Sequence, residues 1–141
     1  MAHDMRTLII LVEATQKPFA NSKTIVAIWH MMNQKFGRTL DAGRSRAVWG
    51  NDRYVFKVPL NANGVRDNLR EAELYRDRAN QPHPLARCKL IYIRNVPILV
   101  MEHVTEMRFR DKPHWASKFD KFQVGRNRAG DVVAYDYANP D

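Results

Sequence analysis

Three ionisable residues stand in or beside segments that the apolar pattern would bury. Lys57 lies inside the run YVFKVP, Glu71 follows it in a stretch of helical character, and Asp136 comes directly after the run VVAY. A buried charge is costly unless it is paired or used. An ammonium can neutralise anionic oxygens, a helix carboxylate can aim that ammonium, and a second carboxylate can bind a hard cation. By residue type, these groups could hold an anionic ligand together with its metal ion.

Each of these residues also has a purely structural explanation. A lysine in an apolar strand commonly extends its charged end to the surface while its stem stays buried. Lys57 and Glu71 could equally form a structural ion pair, and Asp136 could form a turn or cap a strand. Residue by residue, the sequence leaves both explanations open.

The elements that must position these residues can be predicted from periodicity. Residues 22–36 have the pattern of an amphipathic helix, with Ser22 as N-cap and Gly37 as its left-handed stop. Residues 5–15 fit a helix or a buried strand equally well. The remaining predicted elements are a hairpin turning at 50–52, a helix within 64–80, a hairpin turning at 94–95, a polar connector and a hairpin turning near 129–130. No βαβ pattern dominates, so the sequence predicts an α+β fold with helices packed against an antiparallel sheet.

Composition bounds the class of protein. The 141 residues include 23 basic and 15 acidic residues, for a net charge of +8, which favours an anionic partner such as nucleic acid, a nucleotide or an acidic protein surface. No apolar run reaches the length of about 20 residues that spans a bilayer. The one cysteine, Cys88, cannot form an internal disulfide, which favours a reducing, cytoplasmic setting.

Four stretches, in their order along the chain, resemble the small lobe of a protein kinase. LDAGRSRAVW, with Gly43, is placed like the glycine-rich loop, and YVFKVP is similar to the third strand with its lysine, Lys57. The helix carries Glu71 where the family has the glutamate that pairs with that lysine. ILVMEHV resembles the strand that leads into the hinge. The resemblance implies that Met101 is the gatekeeper.

The same resemblance implies sites for adenine and metal. The backbone of Glu102 and Val104 would face an adenine ring. VVAYDYA is similar to the strand that ends in Asp-Phe-Gly, which places Asp136 at the aspartate that holds magnesium against the phosphates. Gln123 falls where the family has its second metal-binding residue, an asparagine. ATP with magnesium is therefore the cofactor that the resemblance implies.

The sequence departs from the family where phosphate transfer is performed. The position of the catalytic aspartate is occupied by Lys118, and the nearest carboxylate, Asp120, is displaced by two residues. The loop that resembles the glycine-rich loop keeps Gly43 but carries Arg44 and Arg46. Only a short connector follows the hinge, and nothing in the sequence resembles the activation segment or the large lobe. These departures favour a reduced, pseudokinase-like domain without phosphotransfer, of a compact kind that fits a phage or mobile-element origin.

The sequence is accordingly divided into one kinase-like domain with four parts. These parts are an N-terminal helical extension (1–38), a small-lobe-like sheet and helix (39–104), a connector (105–121), and a metal-loop-like hairpin with its tail (122–141). The helix from Ser22 to Phe36 and the connector are expected to cover the edge on which a large lobe would rest. Apolar surface left over there would form an arginine-rimmed docking surface. The aromatic and apolar residues proposed to cover that edge are Trp29, Met32, Phe36, Phe109, Trp115 and Phe119.

Three functions compete. The first is a minimal kinase-like regulatory protein that docks on a macromolecular partner, a host protein or a second copy, with a weak ATP site. The second is an active small phosphotransferase with Asp120 as base. The third is a nucleic-acid-binding module in which basic side chains contact phosphates and aromatic rings stack on bases. The aromatic rings could instead close the core beneath the connector, which the sequence favours. The residues assigned to that third function are Arg44, Arg46, Arg108, Arg110, Arg126, Arg128, Trp115, Phe119 and Phe122.

Overall fold

The computed structural model describes residues 22–138, so the element predicted within residues 5–15 lies outside the described residues. Helix α1 (Ser22–Phe36) has the predicted bounds and ends at Gly37, whose φ is +80°. The other elements, in order, are β1 (Asp41–Ala42), β2 (Arg46–Gly50), β3 (Tyr54–Pro59), α2 (Ala62–Arg76), β4 (Cys88–Ile93), β5 (Val96–Glu102), β6 (Thr105–Glu106), β7 (Val124–Arg126) and β8 (Val132–Ala134). Short 3₁₀ turns occupy much of the connector.

Within residues 22–138 the strands form a five-stranded antiparallel sheet in the order β1-β2-β3-β5-β4 and a three-stranded sheet in the order β6-β7-β8. The three predicted hairpins are present. The one between β4 and β5 turns at Arg94 and Asn95, whose φ values of 50° and 65° suit a tight two-residue turn. The predicted α+β class, with helices against an antiparallel sheet, is confirmed.

The larger sheet has two differently used faces. Paired residues on neighbouring strands share a face, so Trp49 and Phe56 lie on one side while Val48 and Lys57 lie on the other. Helix α1 covers the first face, where its apolar stripe joins a buried cluster. That cluster contains Ile28, Met32, Ala47, Trp49, Val58, Val96 and Ile98. The expectation that this helix covers the large-lobe edge was therefore wrong, because its stripe packs on the face opposite Lys57.

Helix α2 packs on the second face and is held there by polar contacts. Asn61 caps it by accepting a hydrogen bond from Gly64 N–H at 3.0 Å, and it donates to the Arg44 carbonyl at 2.8 Å. A Cβ at Gly64 would lie 2.1 Å from the Ser45 carbonyl oxygen, so this close approach requires glycine. The buried Asn68 donates to the carbonyls of Lys57 and Pro97, at 2.9 Å each. These bonds fix the helix against β3 and β5.

The connector closes the core beside α2 and β8. Phe119 is buried, while Trp115 is half-buried and stacks on His83 with ring centroids 4.8 Å apart. Phe109 remains 70% exposed. Lys121 and Phe122 adopt left-handed conformations, with φ of 51° and 54°, which is uncommon for residues other than glycine. No helix in the range 22–138 combines the length and apolar character needed to cross a membrane.

Candidate functional site

A cleft of about 760 Å³ lies between the second face of the larger sheet and the segments that carry Asp120 and Asp136. This volume is within the range of small-molecule sites. The loop around Gly43 lies at one side, and the end of β5 lies at the other. Of the residues assigned to nucleotide binding, metal binding or catalysis, all line this cleft except Glu71, which lies behind it. Those lining residues are Gly43, Lys57, Met101, Glu102, Val104, Asp120, Gln123 and Asp136.

Lys57 and Glu71 meet, as the order of strand and helix predicts. Lys57 Nζ lies 3.0 Å from Glu71 Oε1 and 3.4 Å from Oε2. It also donates to the Tyr135 carbonyl at 2.6 Å. Glu71 is fully buried at the inner side of α2, one turn after Asn68. The predicted contact is confirmed, and a role for the pair in holding a ligand stays a prediction.

Arg46 is the site residue that the sequence analysis missed. It shares the cleft face of β2 with Val48, and its guanidinium bonds Glu71 through Nη1 and Asp136 Oδ1 through Nη2, the latter at 3.1 Å. Nη1 also lies 3.1 Å from Asn68 Oδ1. The alternation of β2 could have placed Arg46 beside Lys57. Its assignment to a nucleic-acid surface was wrong, since its side chain is 9% exposed and ion-paired on both sides.

The segment after β8 is joined to the sheet by backbone and side-chain bonds. The Tyr137 N–H donates to Glu71 Oε2 at 2.9 Å. The buried Tyr137 hydroxyl donates to the Ala86 carbonyl at 2.9 Å and lies 3.1 Å from Cys88 Sγ. Burial raises the pKa of Cys88 to about 11, which keeps the thiol protonated at neutral pH. Tyr137 thus fixes the backbone after Asp136, and the bond from Lys57 to the Tyr135 carbonyl fixes the backbone before it.

Charge pairing makes Glu71 a stable anion. Burial would raise its pKa, but the charges of Lys57 and Arg46, with hydrogen bonds from Arg46 and Tyr137, outweigh burial and lower it. The pKa of Arg46 is raised, because Glu71 and Asp136 outweigh the effect of its burial. The four charges of Arg46, Lys57, Glu71 and Asp136 therefore cancel within the inner cleft.

Asp136 lies in a less favourable setting. Its pKa is raised, chiefly by burial and also by the nearby charges of Glu71 and Asp120, against the opposing effects of Lys57 and Arg46. Its side chain is 31% exposed and faces the cleft. A displaced pKa occurs in structural ion networks as well as in functional sites, so a site role for Asp136 stays a prediction.

The residues present do not fit the magnesium ion that the resemblance implies. Asp136 Oδ1 is bound by Arg46, and the hydrogen-bond pattern assigns the Gln123 amide nitrogen, rather than its oxygen, to Asp136 Oδ2 at 2.9 Å. Magnesium requires oxygen ligands in near-octahedral geometry. Across residues 22–138 no group of three or more His, Cys, Asp or Glu side chains is arranged to hold a metal ion. The assignment of Asp136 and Gln123 to magnesium stays a prediction that this geometry does not favour.

The other end of the cleft offers the groups expected for a planar ring. Met101 is buried, and Val48, Val55 and Val104 supply apolar walls. The Glu102 N–H is used by the Arg87 carbonyl at 2.9 Å, and its side chain accepts from Arg87 N–H at 2.7 Å. A ring would therefore have to be recognised by the Glu102 carbonyl and the backbone of Val104. An adenine ring at this end of the cleft stays a prediction.

The loop around Gly43 and the candidate base Asp120 are held by fewer specific contacts than the ion network. The Gly43 N–H donates to the Arg46 carbonyl at 2.9 Å, so this amide is occupied within its own turn. Asp120 is exposed, and no hydrogen bond or ion pair of its carboxylate occurs among the described residues. Phe119 belongs to the buried core, as the alternative to base stacking predicts.

Comparison with solved structures finds a likeness of fold. The chain is similar to a solved structure of the streptomycin–ATP–APH(2")-IIa ternary complex, with 21% identity and a TM-score of 0.42. The likeness covers 66% of this chain and 35% of that chain, so the chain spans about a third of that protein's length. No protein-family model matches the sequence, and no curated protein matches it significantly.

Proposed function

We propose that this chain is a kinase-like binding protein whose cleft takes a nucleotide weakly and does not transfer its phosphate. The observation that carries the proposal is the closed ion network of the cleft. Lys57 and Glu71 are paired as a phosphate clamp would need, while Asp136 is held by Arg46. The cleft keeps the groups that bind and lacks those that react.

Weak binding follows from the charges. A phosphate entering the cleft meets Lys57 and Arg46 after both have been neutralised by Glu71 and Asp136. Its gain in electrostatic energy is the difference between two ion pairings, not the full attraction of a free cation. The mixed charges of the outer lining, with Arg44 opposed by Asp41 and Asp120, add little net attraction.

The absence of transfer follows from positioning. Phosphoryl transfer depends on a base that orients the acceptor and on cations that hold the leaving phosphates in line. Asp120 is exposed and carries no positioning contact within the described range. Lys118 stands where the resemblance would put the catalytic aspartate. Neither residue can align an acceptor hydroxyl.

Calorimetric titration with ATP and ³¹P NMR of the same mixture test this proposal together. We expect saturable heat with a dissociation constant in the millimolar range and an unchanged γ-phosphate signal after prolonged incubation. Lys57→Met should abolish the heat, and the exposed Arg53→Ala provides a matched loss of charge outside the cleft. Turnover of the γ-phosphate would support an active phosphotransferase, and an absence of saturable heat would leave the cleft without this function.

We further propose that the protein acts by docking on a protein partner through the connector. Phe109 and Phe122 form an exposed edge-to-face pair, with ring centroids 5.1 Å apart and with Arg108 and Arg110 beside Phe109. Affinity capture with wild type and with Phe109→Ser should differ by the loss of a specific partner. Sedimentation of both variants would show whether that partner is a second copy. A salt-dependent shift of a nucleic acid probe, unaffected by Phe109→Ser, would instead favour a basic nucleic-acid-binding module.

A further inference from the structure

We propose that Arg46 takes the place of a divalent cation in the cleft, so that the nucleotide binds without a metal ion. This inference rests on the proposed function for its nucleotide, but it makes a separate statement about metal. The guanidinium lies between carboxylates from the two sides of the cleft, Glu71 of α2 and Asp136 after β8. A metal ion bound between these two carboxylates would supply the same shared positive charge.

The surroundings hold the guanidinium in this position. Its side chain is 9% exposed, and Asn68 Oδ1 accepts a further bond from Nη1 at 3.1 Å. Asn68 is itself fixed by the carbonyls of Lys57 and Pro97. The planar fork is therefore pre-organised, so little freedom is lost when it binds an anion.

A metal ion would have to break this arrangement. Arg46 and Lys57 balance Glu71 and Asp136, so a bound divalent ion would leave two uncompensated positive charges in a partly buried cleft. It would also have to displace Arg46 from Asp136 Oδ1 and the Gln123 amide from Oδ2. A hydrated magnesium ion loses its waters reluctantly, so replacing the Arg46 and Gln123 bonds to Asp136 by a metal ion would be unfavourable.

The guanidinium still has donors for a ligand. Its bonds to Asn68 and Glu71 use Nη1, and its bond to Asp136 uses one hydrogen of Nη2. Of its five N–H groups, the Nε hydrogen and the second Nη2 hydrogen have no acceptor among the described residues. Arg46 lines the cleft, so these adjacent donors can meet two oxygens of one phosphate. The ligand class is a nucleoside polyphosphate in its metal-free form.

The metal part is tested without nucleotide. Binding of Mn²⁺ alone, followed by electron paramagnetic resonance and by thermal unfolding, should show no cleft site in wild type and in Arg53→Ala. Arg46→Ala should acquire a site, because Asp136 then lacks the cation bound to its Oδ1 and Glu71 keeps only Lys57. Arg46→Gln serves if the alanine variant fails to fold, since its amide can still donate to Glu71. A wild-type Mn²⁺ site that is lost in Asp136→Asn would overturn the inference.

The nucleotide part compares ATP affinity in EDTA and in excess magnesium. We expect wild type to bind equally in both, within about twofold. Arg46→Gln should lose about tenfold in EDTA and recover affinity when magnesium is added. A wild type that binds ATP only with magnesium overturns the inference but leaves the proposed function intact. A wild type that binds ATP in neither condition overturns the proposed function and with it the nucleotide part.

Discussion

The two carboxylates of the cleft, Glu71 and Asp136, are buried to different degrees and partnered differently. Glu71, on the wall built by the larger sheet and α2, has no exposed surface and accepts from Lys57, Arg46 and Tyr137 N–H. Asp136, on the wall formed after β8, is partly exposed and depends on Arg46 and Gln123. The pKa of Glu71 is lowered and that of Asp136 is raised. Burial stabilises an ion only where charged partners outweigh its desolvation.

The largest loss of stability is expected from neutralising Glu71, the better-paired of the two carboxylates. Glu71→Gln leaves Lys57 and Arg46 without their shared counter-ion, and removing one partner from a buried ion network costs about 3–5 kcal/mol. We expect the free energy of unfolding in urea to fall by that amount. Glu73→Gln, on the exposed side of the same helix, should change it by less than about 0.5 kcal/mol. Equal effects of the two substitutions would contradict a structural role for Glu71.

A smaller loss of stability is expected from Tyr137, whose hydrogen bonds connect the two walls of the cleft. Tyr137→Phe removes the hydroxyl that donates to Ala86 O and contacts Cys88. Loss of a buried hydrogen bond costs about 0.5–1.5 kcal/mol. Thermal unfolding should show a matching drop, and Tyr54→Phe, at an exposed site, should show none. A drop as large as that of Glu71→Gln would mean that Tyr137 positions the whole network.

Asp136→Asn should act in the opposite direction. Because the pKa of Asp136 is raised in the folded state, its ionised form opposes folding at neutral pH. A neutral amide of the same size should leave stability unchanged or increase it by about 1 kcal/mol, the usual size of the gain from one stabilising substitution. A clear loss of stability would show that the Arg46–Asp136 pair holds the fold together.

The pH dependence of the stability difference between Asp136→Asn and wild type distinguishes Asp136 further from Glu71. A carboxyl with a raised folded pKa contributes stability that is present below its unfolded pKa, about 4, and is lost as pH rises through the folded pKa. The advantage of Asp136→Asn over wild type should therefore be largest near neutral pH and vanish toward about pH 4. Glu71 behaves oppositely, and its contribution is lost as pH falls through its lowered pKa in both proteins. Unfolding in urea between neutral pH and about pH 4 checks the direction for Asp136, and measurements continued below about pH 4 check the direction for Glu71.

Sequence reasoning succeeded where local chemistry dictates structure. Helix α1 was predicted with its bounds because its apolar stripe ends at Gly37, and the β4–β5 turn was predicted from Arg94 and Asn95. Lys57 and Glu71 were paired correctly because a strand and the next helix bring them together. For α2, the predicted start at residue 64 lay two residues late, because the cap at Asn61 was overlooked.

The parts that failed depend on tertiary context. Whether Arg46 begins β2 or ends a loop decides where its side chain points, and the loop sequence does not settle that boundary. The left-handed Lys121 and Phe122, which place Gln123 at the cleft, carry no glycine signal. The face covered by α1 depends on which side of the sheet α2 occupies, and periodicity within α1 holds no information about it.

The claim that the cleft binds a nucleotide through Arg46 and Lys57 without a metal ion is tested most directly by NMR. The measurement is a titration of the arginine Nε–H and lysine Nζ signals with ATP in EDTA. If the cleft is the nucleotide site, the chemical shifts of Arg46 and Lys57 should change together and saturate. Those of exposed residues such as Arg53 and Arg128 should not change. Arg46 should then show slowed exchange of its Nε hydrogen with water. If the exposed arginines shift instead and salt reverses the effect, the protein binds anions over its surface and the cleft is not a nucleotide site.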